Sequence, residues 1–388
     1  MIYLDYAATA PVPRAVADAM YEVLTGRFGN PSSQYPLGLE MKKQVESWRG
    51  TVAEALGCDA KRLYFTACGT EGDNWAVTAA CWQNRHLGKH IVTTAVEHAA
   101  VLEPIRDLER QGYEVTYLKP DHTGHIGPEA VRAALRPDTA LVSMMLVNNE
   151  LGSLLPVAEA ARAIRESGCP ALLHCDGVQG FLKVPFTPRE LGVDLLTVSG
   201  HKIHGPKGVG ALYINARLLS KNPENQAHKI KPLLFGGGQE AKLRSGTEAT
   251  AQIAGFAAAA ARYSAARQDD WARTRELKAY TLRALKAALP ELVVVFEGDA
   301  PHICAVSLPG YNGENLVRFL GDRDICVSSG SACHKGKPSH VYAALGLPKA
   351  VLSGVLRISF DPSLTEEDAD ALVSGLRAAK ETLLPAMK

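Results

Sequence analysis

The chain has 388 residues, a length that suggests two or three domains and allows a sizeable core. Lysine and arginine number 42 and aspartate and glutamate 41, so the net charge of +1 gives no electrostatic reason to expect nucleic acid or a membrane as partner. A small or locally charged substrate fits this composition better.

From about residue 60 onward, short apolar runs alternate with longer segments of helical period, a pattern typical of a parallel sheet flanked by helices. The predicted strands are residues 62–66, 90–94, 114–118, 140–147, 171–175, 194–199 and 208–214. Helices are predicted between them, for example at residues 73–83, 128–135 and 157–167. We therefore predict an α/β domain with a mainly parallel seven-stranded sheet.

A second set of elements follows residue 250. It begins with a long Ala- and Arg-rich helical stretch at residues 250–289. The set continues with predicted strands at residues 292–296, 302–308 and 355–359 and helices at 313–320 and 366–383. This pattern predicts a smaller α+β domain, formed by residues 1–14 and 256–388, beside a large domain of residues 15–255.

A possible phosphate site follows the first of these strands. Ligands of open parallel sheets bind beyond the carboxyl ends of the strands. There Gly69 and Thr70 open a predicted helix, whose free N–H groups and positive dipole end could hold a phosphate. The alternative is that these residues only cap the helix.

Three further strands are also followed by polar residues. Glu97 and His98 follow one strand, Asn148, Asn149 and Glu150 follow another, and Asp176 and Gln179 follow a third. Taken singly, such a histidine is usually structural and such an aspartate is usually a helix cap. Their joint occurrence at one edge of the sheet favours a functional site.

The clearest signal is S-G-H-K-I-H-G-P-K-G, residues 199–208, which places Lys202 among glycines after a strand. A buried lysine can form a Schiff base once its pKa is lowered, whereas the alternative is a solvated loop lysine. An aldehyde cofactor on lysine needs an acid at its ring nitrogen, a flat group over the ring and a phosphate cradle. The residue types present match these three needs: Asp176 is the acid, His98 is the flat group, and the phosphate cradle is the set of Thr70, Ser199 and His201.

The eight cysteines show neither a C-x-x-C pair nor the spacing of a zinc site, which favours free thiols in a reducing cytosol without structural metal. The longest apolar stretches are too short for the roughly 20 residues of a membrane span, so we expect a cytoplasmic protein. Cys333 lies in a small, polar segment near His334, Lys335 and Lys337, whose positive charge favours a thiolate.

These residues resemble the class V group of fold-type I pyridoxal-phosphate enzymes and, within it, the cysteine desulfurases. The resemblance extends over essentially the whole chain. The motifs that carry it are, in chain order, Y-L-D-Y-A-A-T-A-P, G-N-P-S-S, T-E-G-D-N, V-E-H, V-N-N-E-L-G, H-C-D-G-V-Q, S-G-H-K-I-H-G-P-K-G, G-G-G-Q-E, R-S-G-T, S-S-G-S-A-C and R-I-S.

The resemblance implies a pyridoxal 5'-phosphate cofactor held covalently by Lys202. Asp176 would pair with the ring nitrogen, Gln179 would bond the phenolic oxygen, and His98 would stack on the ring and take part in catalysis. The phosphate would be held by the residues Gly69, Thr70, Ser199 and His201.

The resemblance also assigns the substrate side. Asn149 and Arg357 would face the cofactor oxygen and the substrate carboxylate, which a guanidinium can bind through two hydrogen bonds. Cys333 would receive the sulfur. Thr247 would reach the phosphate of a neighbouring subunit, which implies a homodimer with shared active sites.

The expected activity is removal of sulfur from L-cysteine, which gives L-alanine and a Cys333 persulfide for transfer to an acceptor thiol or protein in iron-sulfur cluster or thio-cofactor assembly. One alternative is a selenocysteine lyase or another class V activity, in which Cys333 would be incidental. Another is a catalytically idle scaffold for sulfur transfer.

Overall fold

A computed structural model describes residues 1–220, 230–329 and 339–385. The strands are β1 (Ile2–Tyr3), β2 (Leu63–Thr66), β3 (His90–Thr94), β4 (Glu114–Leu118), β5 (Thr139–Ser143), β6 (Leu172–Asp176), β7 (Leu195–Ser199), β8 (Gly210–Ile214), β9 (Val293–Phe296), β10 (Ile303–Ser307), β11 (Ile325–Cys326) and β12 (Val355–Ser359). The helices are α1 (Arg14–Thr25), α2 (Pro36–Leu56), α3 (Gly69–Asn84), α4 (Ala99–Arg110), α5 (Pro128–Ala134), α6 (Val157–Ser167), α7 (Pro188–Leu191), α8 (Ala216–Leu219), α9 (Thr250–Ala288), α10 (Gly313–Gly321), α11 (His340–Ala344), α12 (Lys349–Ser353) and α13 (Glu366–Thr382).

The large sheet has the order β2-β8-β7-β6-β5-β3-β4. Strand β8 is antiparallel to both of its neighbours, β2 and β7, and every other pairing in the sheet is parallel. The predicted α/β class with a mainly parallel seven-stranded sheet is therefore confirmed. Because only β8 runs the other way, the carboxyl ends of β2, β3, β5, β6 and β7 lie at one edge of the sheet.

Both faces of this sheet are buried except at the edge strand β4, which explains why most of its strands appear as apolar runs in the sequence. Successive residues point to opposite faces, so Leu172 packs in the core on one side and Leu173 in the core on the other. The same alternation separates Leu195 from Leu196. Helices pack on both faces of the sheet, and loops follow the carboxyl ends of the strands.

A second core lies around the small sheets. Strands β12, β10 and β9 form an antiparallel sheet, and β1 pairs in parallel with β11. The N-terminal residues Leu4 and Tyr6 are buried here together with Leu285 and Ile358. Helix α9 packs against α1 and α2 and also against α13, so it spans both parts. The domain boundaries predicted above stay a prediction.

Two differences from the predicted elements concern the site. The strand predicted at residues 140–147 ends at Ser143, although Met144 N and Leu146 N still donate to His174 O and Asp176 O of β6. The turn in which Gly152 N donates to Asn148 O follows Val147. Helices α1 and α2 precede residue 60 and were not among the predicted elements.

Three features are absent from the described residues: a membrane-spanning helix, a disulfide and a metal-binding cluster. No helix among them is both long and apolar enough to cross a membrane. Their seven cysteines are all free thiols, and no group of three or more His, Cys, Asp or Glu side chains among them could hold a metal ion.

Candidate active site

A cavity of about 370 Å³ lies at the carboxyl edge of the large sheet, within the usual range of roughly 300–1,000 Å³ for small-molecule sites. Ten of the twelve predicted site residues line it: Gly69, Thr70, His98, Asn149, Asp176, Gln179, Ser199, His201, Lys202 and Arg357. Thr247 is exposed and does not line this cavity. Cys333 lies outside the described residues.

Lys202 lies on the short helical turn Gly200–Ile203 that follows β7. Its Nζ donates hydrogen bonds to the carbonyl oxygens of Ala7 (2.6 Å) and Ala8 (2.9 Å). Burial, together with the positive charges of Lys183 and Arg357, lowers its pKa to about 7. Lys202 therefore has a substantial neutral, nucleophilic fraction near neutral pH, unlike a solvated loop lysine.

Asp176 is the last residue of β6 and is almost fully buried. Its Oδ1 accepts a hydrogen bond of 2.9 Å from Val178 N. Burial and the nearby carboxylate of Asp73 raise the pKa of Asp176. A cationic group in the cavity would relieve this unfavourable environment, so Asp176 is suited to pair with a protonated ring nitrogen.

Four buried side chains that line the cavity each carry an atom without a hydrogen-bond partner in the described residues. These atoms are Asp73 Oδ1, Gln179 Oε1, Ser199 Oγ and Arg357 Nε. An unsatisfied buried polar atom costs about 1–3 kcal/mol, and such atoms are uncommon in native structures. Their convergence on one cavity indicates a polar ligand with both donor and acceptor groups.

His98 caps the N-terminus of α4, where its Nδ1 accepts a 3.1 Å hydrogen bond from Ala100 N. This bond fits a ring that carries its proton on Nε2, and burial lowers the pKa of the ring, which favours the neutral imidazole. His98 therefore has a structural role as the cap of α4. The same ring also lines the cavity, and a neutral ring can stack on a flat ligand.

The start of α3 is suited to an anion. Cys68 precedes the helix and provides no side-chain cap, so first-turn N–H groups remain for a ligand. A Cβ on Gly69 would lie only 2.9 Å from Val178 Cγ2, which explains the glycine at this close approach. His201 and Ser199 line the same cavity, and burial and Lys202 lower the pKa of His201 to about 4.

The N-terminal segment at residues 5–10 crosses the cavity and was not among the predicted site residues. Gln179 Nε2 donates to the carbonyl of Ala7 at 2.8 Å, which is also an acceptor for Lys202. Asp5 Oδ1 accepts from Arg357 Nη2 at 2.8 Å, while Arg357 Nη1 donates to Asn149 O at 2.9 Å. The motif Y-L-D-Y-A-A was the available signal, but no role follows from its residues alone.

The chain is similar to known proteins over nearly its whole length. The family model described as Aminotransferase class-V matches residues 2–372. A cysteine desulfurase IscS from Methanosarcina thermophila is 38% identical over 378 residues, which cover 96% of this chain and 90% of that protein.

Two solved structures are also similar. A NifS-like protein has a TM-score of 0.89 and 32% identity over 98% of this chain and 100% of its own. The protein SspA, solved in complex with cysteine, has a TM-score of 0.79 and 30% identity over 94% of this chain and 100% of its own.

Proposed function

The chain belongs to the class-V aminotransferase family, and from that premise we propose that it is a cysteine desulfurase that converts L-cysteine to L-alanine and retains the sulfur as a persulfide. The observation that carries this proposal is the single cavity in which ten predicted site residues meet around Lys202. The similar IscS protein, named a cysteine desulfurase, and the similar SspA structure, solved with cysteine, support the same activity.

The cavity residues fit pyridoxal 5'-phosphate. The unpartnered Ser199 hydroxyl and the uncapped first turn of α3 are donors suited to its phosphate. Buried Asp176 is suited to its ring nitrogen, and Lys202 supplies an amine with a lowered pKa for its aldehyde. When bound, this cofactor supplies an electron sink for the bonds around the substrate α-carbon.

The residues of this chain would then do the remaining work. Arg357 binds the substrate carboxylate and is itself oriented by Asp5 and by the Asn149 carbonyl. Lys202 would hold the cofactor, and its free amine would move the proton at the substrate Cα.

Sulfur removal needs a second nucleophile. The Cys333 thiolate attacks the substrate sulfur, so that an S–S bond forms while the substrate Cβ–S bond breaks. The electron pair of the broken bond stays on the carbon side, where Cβ gains a proton, and the product is alanine. The overall change, cysteine plus a thiol to alanine plus a persulfide, needs no external oxidant.

The proposal extends to partners and setting. A homodimer would place the exposed Thr247 of one subunit at the phosphate of the other, and a thiol or protein acceptor would remove the sulfur. A reducing, cytoplasmic setting suits an enzyme that works through free thiols.

The direct test is to incubate the purified protein with pyridoxal phosphate, L-cysteine and dithiothreitol and to measure alanine and sulfide. Equal release of the two is expected. Activity with selenocysteine but not cysteine would support the lyase alternative, and the absence of both cofactor absorbance and turnover would support the scaffold alternative.

Replacement of Asp176 by Asn is expected to retain the cofactor but to lower turnover by about a hundredfold, the order that loss of one charge-stabilising group costs an active site. The reason is that a neutral amide does not hold the ring nitrogen protonated. Alanine release per bound cofactor measures the effect. The control is Asp194→Asn, because Asp194 is equally buried but lies at the opposite end of the sheet, where it binds Leu173 N and Arg217. Turnover of Asp176→Asn close to that of Asp194→Asn would contradict the role.

The lowered pKa of Lys202 predicts the pH dependence of cofactor capture by cofactor-free protein. The ammonium form cannot attack the aldehyde, so the rate should rise with pH through a midpoint near 7 instead of the ordinary lysine value of 10.5. Removing the charge of Lys183 by Lys183→Met should shift the midpoint to higher pH, whereas exposed Lys207→Met should not. Stopped-flow absorbance gives the rates, and a midpoint near the ordinary value in the unmodified protein would disprove the assignment.

A further inference from the structure

Two buried glutamates at the cavity edge bind the short chain segment that begins at Ser339. Ser339 Oγ donates a 2.7 Å hydrogen bond to Glu150 Oε1, and both side chains are buried. Tyr342 OH, on α11, donates to the carbonyl of Glu150 at 3.2 Å. His340 Nε2 lies 2.9 Å from the carbonyl oxygen of Glu97. The start of α11 is therefore held by hydrogen bonds to both Glu150 and Glu97.

The same two glutamates are the chain neighbours of cavity residues. Glu97 precedes His98, and Glu150 follows Asn149. The Glu97 carboxylate accepts hydrogen bonds from Thr94 Oγ1 at 2.7 Å and Met145 N at 3.0 Å, and so links the two loops that carry these residues.

Asn148 makes a second link between these loops. Its Nδ2 donates to Val96 O at 2.9 Å, and its Oδ1 accepts from the N–H groups of Glu150 and Leu151. In both loops one residue lines the cavity while its neighbour binds the segment around Ser339.

The chain also returns to the cavity before Cys333. Ser328 and Arg357 exchange backbone hydrogen bonds of 3.3 and 2.7 Å, and both line the cavity. In the sequence Cys333 lies between Ser328 and Ser339, and six extended residues reach at most about 20 Å. On either side of Cys333, the described chain is therefore bonded to Arg357 through Ser328 and to Glu150 through Ser339.

The bond between Ser339 and Glu150 is costly to lose. Burial raises the pKa of the Glu150 carboxyl to about 7, although Ser339 and Arg357 partly offset this, and Glu150 Oε2 has no partner in the described residues. Ser339 is the one side chain that the structure shows bonded to this carboxyl group among the described residues. Removing it would leave a buried acid without a donor.

We propose that Glu150 is a positioning residue for sulfur transfer, because through Ser339 it fixes the point at which the Cys333 segment joins the cavity edge. This role rests on the proposed desulfurase function. It adds that cysteine binding and sulfur transfer depend on different residues: Arg357 binds the substrate, while the Glu150–Ser339 pair anchors the chain six residues after the nucleophile.

The test compares Glu150→Ala, Ser339→Ala and the double variant, each with cofactor bound. We expect each to retain KM for cysteine but to lose about tenfold in kcat, the effect of roughly one hydrogen bond to a buried group. The double variant should lose no more than either single variant, because both disrupt one interaction. Glu150→Gln keeps an oxygen acceptor for Ser339 and should restore most of the activity.

Two features separate positioning from a general loss of stability. Single-turnover spectra should show cysteine binding at the normal rate, followed by slow alanine formation. The control Asn84→Ala removes a buried side chain that donates to Ala140 O at the far end of the sheet, so it should lower the unfolding temperature without changing kcat. If Glu150→Ala does not fold, Ser339→Ala still removes the bond to the Glu150 carboxyl group, and Tyr342→Phe removes the separate bond from α11 to the Glu150 backbone carbonyl.

The possible outcomes are distinct. Unmodified protein that forms no alanine from cysteine would overturn the proposed function and this role with it. Active unmodified protein with variants of unchanged kcat, or of raised KM at constant kcat, would overturn the positioning role alone. A drop in kcat in Asn84→Ala equal to that in Ser339→Ala would also overturn it.

Discussion

The Lys202→Ala variant is expected to lose the visible absorbance of lysine-bound pyridoxal phosphate and all measurable turnover, a fall of at least about 10⁴-fold. Two functions are removed at once, because Lys202 is proposed both to hold the cofactor and to move the proton at Cα. The protein should still fold, since among the described residues the side chain is bonded to the carbonyls of Ala7 and Ala8, and these bonds are lost without loss of a core contact. The measurements are the absorption spectrum, alanine release and the thermal unfolding midpoint.

Lys207→Ala is the matched control. Lys207 lies in the same glycine-rich segment but is exposed, so its loss should leave spectrum and turnover unchanged. Lys202→Ala that turned over cysteine at the rate of Lys207→Ala would disprove the proposed chemistry. Exogenous amines such as methylamine should partly restore proton transfer in the variant, since they replace the missing base.

Much of the large sheet could be predicted from the sequence because most of its strands are buried on both faces. The strands at residues 90–94 and 114–118 agree at both ends with β3 and with the more exposed edge strand β4. Short apolar runs bounded by polar or glycine residues leave little choice of boundary. The predicted strand at 140–147 was longer than β5, since residues 144–147 leave the regular strand, while Met144 N and Leu146 N still donate to β6, before the turn that begins at Asn148.

Strand order and direction could not be predicted in the same way. Strand β8 is as apolar as its neighbours, yet it is antiparallel and lies between β2 and β7. Composition is the same for either direction, whereas the short connection from β7 to β8, residues 200–209, favours a return beside β7. The sequence-based resemblance specified the class of the sheet but gave no account of this strand.

The predicted site residues divide in a similar way. Residues at strand ends, such as Asp176 and Ser199, could be located because parallel strands bring their carboxyl ends to one edge. Asp5 could not, because it reaches Arg357 across 352 positions of the chain and no local pattern predicts that pairing. The same applies to Glu150 and Ser339, whose bond joins two segments 189 residues apart.

Cys333→Ser is expected to separate cysteine binding from sulfur removal. Binding needs Lys202, the cofactor and Arg357, which the substitution leaves in place, so the cofactor spectrum should still change when cysteine is added. A serine hydroxyl stays protonated near neutral pH and is a far weaker nucleophile than a thiolate. Neither alanine nor persulfide should therefore form above background, as measured by amino-acid analysis and by a persulfide-specific assay.

Cys68→Ser is the matched control. Among the described residues, Cys68 is the cysteine that lines the cavity, beside Gly69, where a substrate could contact it. This variant should keep alanine release within about two-fold of the unmodified protein, the effect of a change that removes no catalytic group.

Alkylation of the unmodified protein should label Cys333 fastest of the eight cysteines, since thiolates react and buried thiols such as Cys175 have raised pKa values. Activity should fall in parallel with labelling at Cys333. Complete alkylation of Cys333 with unchanged alanine release would show that another group takes the sulfur, and would favour a lyase or a different class V activity.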